Sequence, residues 1–373
     1  MNMKKLLYGL ICLVLTLSFL SLAAAVSEDE GTYEGISWKY KRGVLSFEGN
    51  GYIKEDYNAI WPDYNAEVKE LLVGEGIKGL ENFDGFENME KLHKVTYEND
   101  IFDGVYTISE QIKEVLYTSE NAVFRGINFV NSRLEKIYFL KANDKYKWEG
   151  NILYNADKTE LLYYRGSKKE KIVIPEGVKI IGDGAFANSK IVSVELPSTL
   201  EEIGNYAFSG CTQIKSIDIP ASCKRIFTHA FWNCKSLKTV VFNQDKIDFA
   251  TYINTQRGKE DWLGYTFGLC TSLVEITVPA CEKIPLGFFS SCKNLKKVVF
   301  SEGTKSIDPV MFFRKCKNLQ TVFIPDSMTI DRSFFNGNTD GKDYPKNAVI
   351  LCHKGSKAEE LARKYKFKYK IIQ

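Results

Sequence analysis

Several things this chain lacks narrow its chemistry. Histidine occurs only at His93, His229 and His353, and no HExxH, no GxSxG and no complete phosphate loop is present. The nearest approach to such a loop, GNTDGK ending at Lys342, is one residue short and lacks the hydroxyl residue after the lysine. None of the nine cysteines forms a CxxC pair, which speaks against a zinc site. Charge of one sign is missing too. Fifty basic residues face 47 acidic ones, so no global field draws in nucleic acid or anionic lipid. The expectation is therefore no catalytic residue, no metal, no cofactor and no nucleic-acid partner.

Long apolar runs are confined to the start. Lys4 and Lys5 precede an apolar stretch from Leu6 to Leu22, Ala23-Ala24-Ala25 closes it, and Glu28, Asp29 and Glu30 follow. That layout predicts a cleaved secretory signal peptide over residues 1–25. Val26 stands where a lipid-modified cysteine would be needed. No second run of spanning length follows, so the exported chain is expected without a membrane span, secreted or at the cell surface. Losing the two lysines lowers the formal charge from +3 to about +1.

What is present is a period. IGDGAFANSKIVSVELP is followed by IGNYAFSGCTQIKSIDIP and IFTHAFWNCKSLKTVVF, then by YTFGLCTSLVEITVP, GFFSSCKNLKKVVF and MFFRKCKNLQTVFIP. One slot holds Phe186, Phe208, Phe231, Phe267, Phe289, Phe313 and Phe335, spaced by 22, 23, 36, 22, 24 and 22 residues. A period near 23 falls in the leucine-rich-repeat range. The frame AFxxCxxLxxVxIP ends in a short alternating strand that buries pairs such as Val194/Leu196 and Ile276/Val278. Proline after several strands stops them, having no N–H for a ladder. One such unit cannot bury its apolar side alone, but a stack can.

These features predict a β-dominated α/β fold: a right-handed leucine-rich-repeat solenoid with short parallel strands on one face. A worn form of the frame (Ile77, Met89, Leu92, Val95, Tyr97, then Ile112, Val115, Tyr117, then Leu134, Ile137, Phe139) extends the array over residues 66–343, with roughly nine units. Insertions are expected at 149–165, two strands around a turn, and at 244–260, which makes the 36-residue gap; solenoid insertions go to loops on one face. Residues 26–65 read as an N-terminal β cap with a hairpin at Gly43, whose Trp38, Tyr40, Leu45 and Phe47 cover the first repeat. Residues 344–373 read as a strand–helix–strand cap, with Ser356 the N-cap and Glu359 three residues on.

The repeats IGxxAFxxCxxLxxVxIP resemble those of BspA-type leucine-rich-repeat proteins of bacterial surfaces. The opening WxYxxGVLSFEGNG, the hairpin ILYNADKTELLYY and the closing KGSKAEELARKYKFKY are similar to the same family's terminal and inserted units. The resemblance covers almost all of the chain after the leader, with residues 98–150 departing from the pattern. It implies the solenoid fold and an association with adhesion to host proteins or other cells, while naming no ligand.

Cys211, Cys234, Cys270, Cys292 and Cys316 each follow the slot phenylalanine by three, and Cys223 and Cys281 share a slot with Val178 and Leu200. Exchange with valine and leucine marks small buried groups. Export permits disulfides, and stacked neighbours lie in bridging range, yet side chains in a ladder point the same way, which favours reduced columns. His229 lies five residues before Cys234; a Cys–His nucleophile is the sharp reading, and a turn residue beside a core thiol is the plainer one.

The strand pattern leaves one outward column: Thr96, Leu116, Tyr138, Glu195, Asp218, Val241, Thr277, Val299 and Phe323. Leu116, Tyr138, Val241, Val299 and Phe323 are apolar where a solvated strand would be polar, and an exposed apolar line marks a contact surface. The second insertion adds Phe249, Tyr252 and Arg257, a mixture suited to binding. The expected function is a surface or secreted binding module that holds a protein or glycan of a cell surface or matrix; its oligomeric state is open. The alternatives are a secreted hydrolase with its site in residues 98–150 or the caps, and a structural protein of the envelope.

Overall fold

The computed structural model describes residues 28–54, 67–81, 89–100, 103–104, 111–124, 126–129, 134–140, 144–166, 168–250, 264–335, 343–345 and 347–373. The expected leader over residues 1–25 lies outside them. Among the described residues, no helix is long and apolar enough to cross a membrane. The chain divides into two compact units, Met1–Val123 with Leu134–Ala142 and Phe124–Arg133 with Asn143–Gln373.

In the first unit, strands Glu28–Tyr33, Ile36–Lys41 and Val44–Gly49 pair antiparallel, and the last two meet at a turn over Arg42 and Gly43, both at positive φ. Strands Glu70–Val73, Lys94–Tyr97, Glu114–Tyr117 and Lys136–Phe139 then add in parallel. Parallel pairing sets equal slots one above another about 4.8 Å apart. Leu45, Leu71, Val95, Val115 and Ile137 thus form one buried column, and Tyr97, Tyr117 and Phe139 another, with successive ring centroids 5.3 Å apart. Strand Glu28–Tyr33 was not foreseen, because EDEGTY carries no apolar alternation.

The second unit opens with three antiparallel strands, Tyr146–Glu149, Ile152–Asn155 and Glu160–Tyr164. The two strands expected around a turn at 149–165 are Ile152–Asn155 and Glu160–Tyr164, and they join the stack. Glu160 and Leu161 pair in parallel with Ile180 and Ile181, and Leu153, Tyr154 and Leu161 are buried. The segment is the first member of a ladder, placed there by its alternating Leu and Tyr residues.

That ladder was not foreseen. Two-residue strands at Ile180–Ile181, Glu202–Ile203, Arg225–Ile226 and Asp248–Phe249 pair in parallel from coil to coil, as do Lys283–Ile284 and Ser306–Ile307. The longer strands of the repeat frame form the front face: Ser193–Glu195, Ser216–Ile219, Thr239–Phe242, Glu275–Val278, Lys297–Phe300, Thr321–Phe323 and Val349–His353. Most of their inward residues are buried as expected, with Val278, Val298, Phe300, Val322 and Ile324 fully so, while Leu196 and Phe242 are half-buried.

Between the two ladders runs the AF turn, which explains the phenylalanine slot. From Phe186 to Phe313, residues two before and two after each slot Phe have φ near +60°; the first set is Gly184, Tyr206, His229, Tyr265, Gly287 and Met311. This left-handed backbone turns N–H groups toward the next coil. Tyr206 N donates to Thr228 O (3.1 Å), His229 N to Gly264 O (2.9 Å), and Phe208 N to Ala230 O (2.8 Å). The rings stack through the core: Phe186–Phe208 at 5.1 Å, Phe208–Phe231 at 5.4 Å and Phe231–Phe267 at 5.2 Å, all within 4° of parallel. The column passes the 36-residue gap without a break.

The chain closes with helix α1 (Lys357–Lys364). Ser356 caps it by accepting the Glu359 N–H (3.1 Å). The Glu359 carboxylate accepts the N–H of Gly355 (2.7 Å), one residue before the group a regular capping box would use. Strand Tyr369–Ile372 then pairs in parallel with Ile350–His353.

Candidate functional site

The outward column falls in each unit where the alternation puts it. In the first unit Thr96, Leu116 and Tyr138 are in register, with Tyr138 48% exposed and Leu116 half-buried. In the second unit Asp218 aligns with Val241, and Thr277, Val299, Phe323 and Leu351 align with one another. Val241 is 40% exposed, while Val299 and Phe323 are half-buried. An edge of His353 covers part of the Phe323 ring, with centroids 5.4 Å apart.

The front ladder parts between Thr239–Phe242 and Glu275–Val278, which belong to separate sheets. At regular steps the N–H before a strand donates to the preceding coil, as Lys296 N does to Val274 O (2.7 Å) and Lys238 N to Lys215 O (2.8 Å). Here the pairing occurs further along. Ala280 N donates to Asp245 O and Ile247 N to Ala280 O, both at 3.0 Å. Pro279, between them and the strand, has no N–H to give.

The parting opens a groove of about 700 Å³ lined by Val241, Gln244, Glu275, Thr277, Lys297 and Val299, among others. Val241 and Val299 thus meet at one place. The amide oxygen and nitrogen of Gln244 are both buried with no hydrogen-bond partner among the described residues. Leaving such a group unpaired costs about 1–3 kcal/mol. Asp245, Glu275 and Glu302 outnumber Lys297 around the groove, so its rim is acidic.

Two other expectations meet different fates. Phe249 leaves the set of binding candidates: it is 3% exposed, paired through Asp248–Phe249 into the second ladder and packed edge-on against Phe288 at 4.7 Å. An aromatic at that slot of the coil is core, and the insertion begins after it. Tyr252 and Arg257 lie outside the described residues. Gln244 was missed by sequence reasoning, since nothing local marks a glutamine as buried and unpaired.

The thiols and imidazole are built for packing. All eight described cysteines are buried and unpaired. Each frame cysteine donates its S–H to the carbonyl of the phenylalanine one coil back: Cys211 to Phe186 O and Cys234 to Phe208 O at 3.1 Å, Cys270 to Phe231 O at 3.2 Å. Burial pushes the thiols of Cys211, Cys223, Cys281 and Cys316 up to about 12, so none is a ready thiolate at neutral pH. His229 is stacked between Tyr206 (4.5 Å) and Tyr265 (5.4 Å), and desolvation lowers its pKa to about 4. These groups do not make a Cys–His pair poised for nucleophilic attack.

Residues 160–256 and 250–342 match the profile of the BspA type leucine rich repeat region. No curated protein matches this chain. Among solved structures, a leucine-rich repeat protein from Eubacterium ventriosum is similar at 21% identity and a TM-score of 0.54, over 86% of this chain and 97% of that one. A leucine-rich repeat protein of T. pallidum (22% identity, TM-score 0.40) covers 62% of this chain and 97% of its own, and a leucine-rich cell surface protein from Faecalibacterium prausnitzii (18%, 0.27) covers 91% and 98%. The first shares the fold, as a likeness at that identity shows. Through residues 160–342, with their stacked phenylalanines and parallel front strands, the chain belongs to the BspA-type leucine-rich-repeat family.

Proposed function

We propose that this chain is an exported, non-catalytic binding protein that holds an extended protein segment in the groove at the parted front ladder. One observation carries the reading: a groove on the strand face, opened where two front strands fail to pair, holds two apolar side chains, Val241 and Val299, within an acidic rim. A peptide suits this chemistry. An aliphatic side chain covers the valines, and a basic residue meets the acidic rim. Buried thiols and a neutral imidazole, with no other nucleophile assembled among the described residues, favour holding over turnover. The leader-like start supports export.

The test begins with the purified protein on arrays of peptides and of glycans, followed by titration of the best hits. Saturable peptide binding that falls at least tenfold in the Val241→Asp, Val299→Asp double variant, with the melting curve preserved, is the expected result. Parent-level binding by that variant removes the groove as the site, and saturable binding confined to glycans removes the peptide. Turnover of any array member ends the non-catalytic reading.

A further inference from the structure

At many steps stacked coils meet a charge with its opposite: Glu67 faces Lys91, Glu70 faces Lys94, Glu201 faces Lys224 and Glu202 faces Arg225, each from one coil to the next. One step departs from that pattern with two acids. Carrying the register Val299↔Phe323 three residues on places Glu302 against Asp326, like charge on like. Both are exposed, and among the described residues no lysine or arginine pairs with either. The Glu302 carboxylate accepts only the Asp326 N–H (3.2 Å) and the Ser327 hydroxyl (3.5 Å).

The group that faces this pair is an imidazole. His353, at the end of the next front strand, puts Nδ1 3.2 Å from Asp326 Oδ1, and its ring is held edge-on by Phe323. One ligand atom each from Glu302, Asp326 and His353 lies within 4.8 Å of the other two. We propose that these three residues, contributed by three successive coils, form a binding site for a divalent transition metal, with zinc the ion it fits best.

The donor set decides the class. One imidazole nitrogen with two carboxylates suits zinc and its neighbours, whereas calcium and magnesium take oxygen alone. Donors around a tetrahedral zinc at about 2.0–2.2 Å stand roughly 3.3–3.5 Å apart; the His353–Asp326 pair is already close to that. Glu302 is exposed and needs only a side-chain rotation to join. A bound dication removes the repulsion between the two carboxylates, the role lysine plays elsewhere in the stack. Three protein ligands leave coordination open to water or to a donor from a partner. Spacings of 24 and 27 residues match no local metal motif, so only the stacking of coils brings the set together, and the expectation of no metal rested on local spacing.

The inference does not depend on the groove, and its test is separate. Zinc chloride is titrated calorimetrically into the untagged full chain, with cobalt absorption as a second reporter. The expected result is one equivalent bound at micromolar concentration. The His353→Ala and Asp326→Asn variants weaken it at least tenfold with unchanged melting curves, and His93→Ala leaves it alone. No saturation up to millimolar zinc overturns the proposal, as does equal affinity in the two site variants. Magnesium or calcium binding as tightly as zinc, indifferent to His353→Ala, overturns it as well.

Discussion

A thiol three residues after each phenylalanine does two things a valine could not. It is small enough for the tight turn, and its S–H satisfies a carbonyl of the coil before, at 3.0 Å for Cys316 and Phe289 O. Ser189 fills the same slot in the first complete coil and touches Cys211 Sγ at 3.3 Å, so the slot selects for a small donor. The burial of these residues was legible from their fixed place three residues after each core phenylalanine; their role as donors was not, because the acceptor belongs to another coil. His229 shows a second residue-level effect. Desolvation between two tyrosines holds its pKa near 4, below the 6.5 of the unfolded chain. The unfolded state therefore takes up the proton first as pH falls. The stability tied to the neutral ring is complete above pH 6.5 and is lost progressively toward pH 4, by at most about 3 kcal/mol. The His229→Asn variant, whose side chain tolerates the left-handed backbone, is expected to lose that slope, read as urea-unfolding free energy across pH 4–7.

At the scale of the element, the phenylalanine column contributes most where it is covered on both sides. Phe208 lies between Phe186 and Phe231 and is fully buried. Phe208→Ala is expected to cost about 3–5 kcal/mol. Phe335, at the far end, is half-buried and tilted 39° from Phe313; Phe335→Ala is expected to cost less, about 1–2 kcal/mol. Urea midpoints of the two variants check the order, and an equal loss would mean that stacking within the column is not the source. The long front strands and this column were readable because apolar period and slot spacing are properties of one coil. The two-residue ladder at Glu202–Ile203 and Arg225–Ile226 was not, since two residues carry no alternation and their pairing is decided by the next coil. Phe249 was misplaced for the same reason: it looked like part of the insertion and is instead the last Ile-equivalent of that ladder.

At the scale of the whole molecule, the balanced charge argues about kinetics more than fold. Fifty basic residues against 47 acidic give no strong field, and many of the charges are met by exposed ion pairs between coils, each worth roughly 0–1 kcal/mol. A partner held through Val241 and Val299 should therefore depend weakly on salt. Raising sodium chloride from about 0.1 M to about 0.5 M, which halves the screening length, is expected to change its Kd less than threefold. A larger loss in that titration would shift the weight to the acidic rim. The groove itself could not be read in advance, because it exists where two strands fail to pair, and failure to pair leaves no residue pattern. The turn hydrogen bonds carry one more consequence. The turn N–H groups of each coil donate to carbonyls of the coil after it, and its thiol donates to a carbonyl of the coil before it. A duplicated stretch of one full repeat therefore arrives with every joint prefitted, like a course of brick laid on its twin. A stretch a few residues short shifts all the joints together. Lineages that lengthen or shorten this protein should do so by whole courses, and fractional ones should be purged.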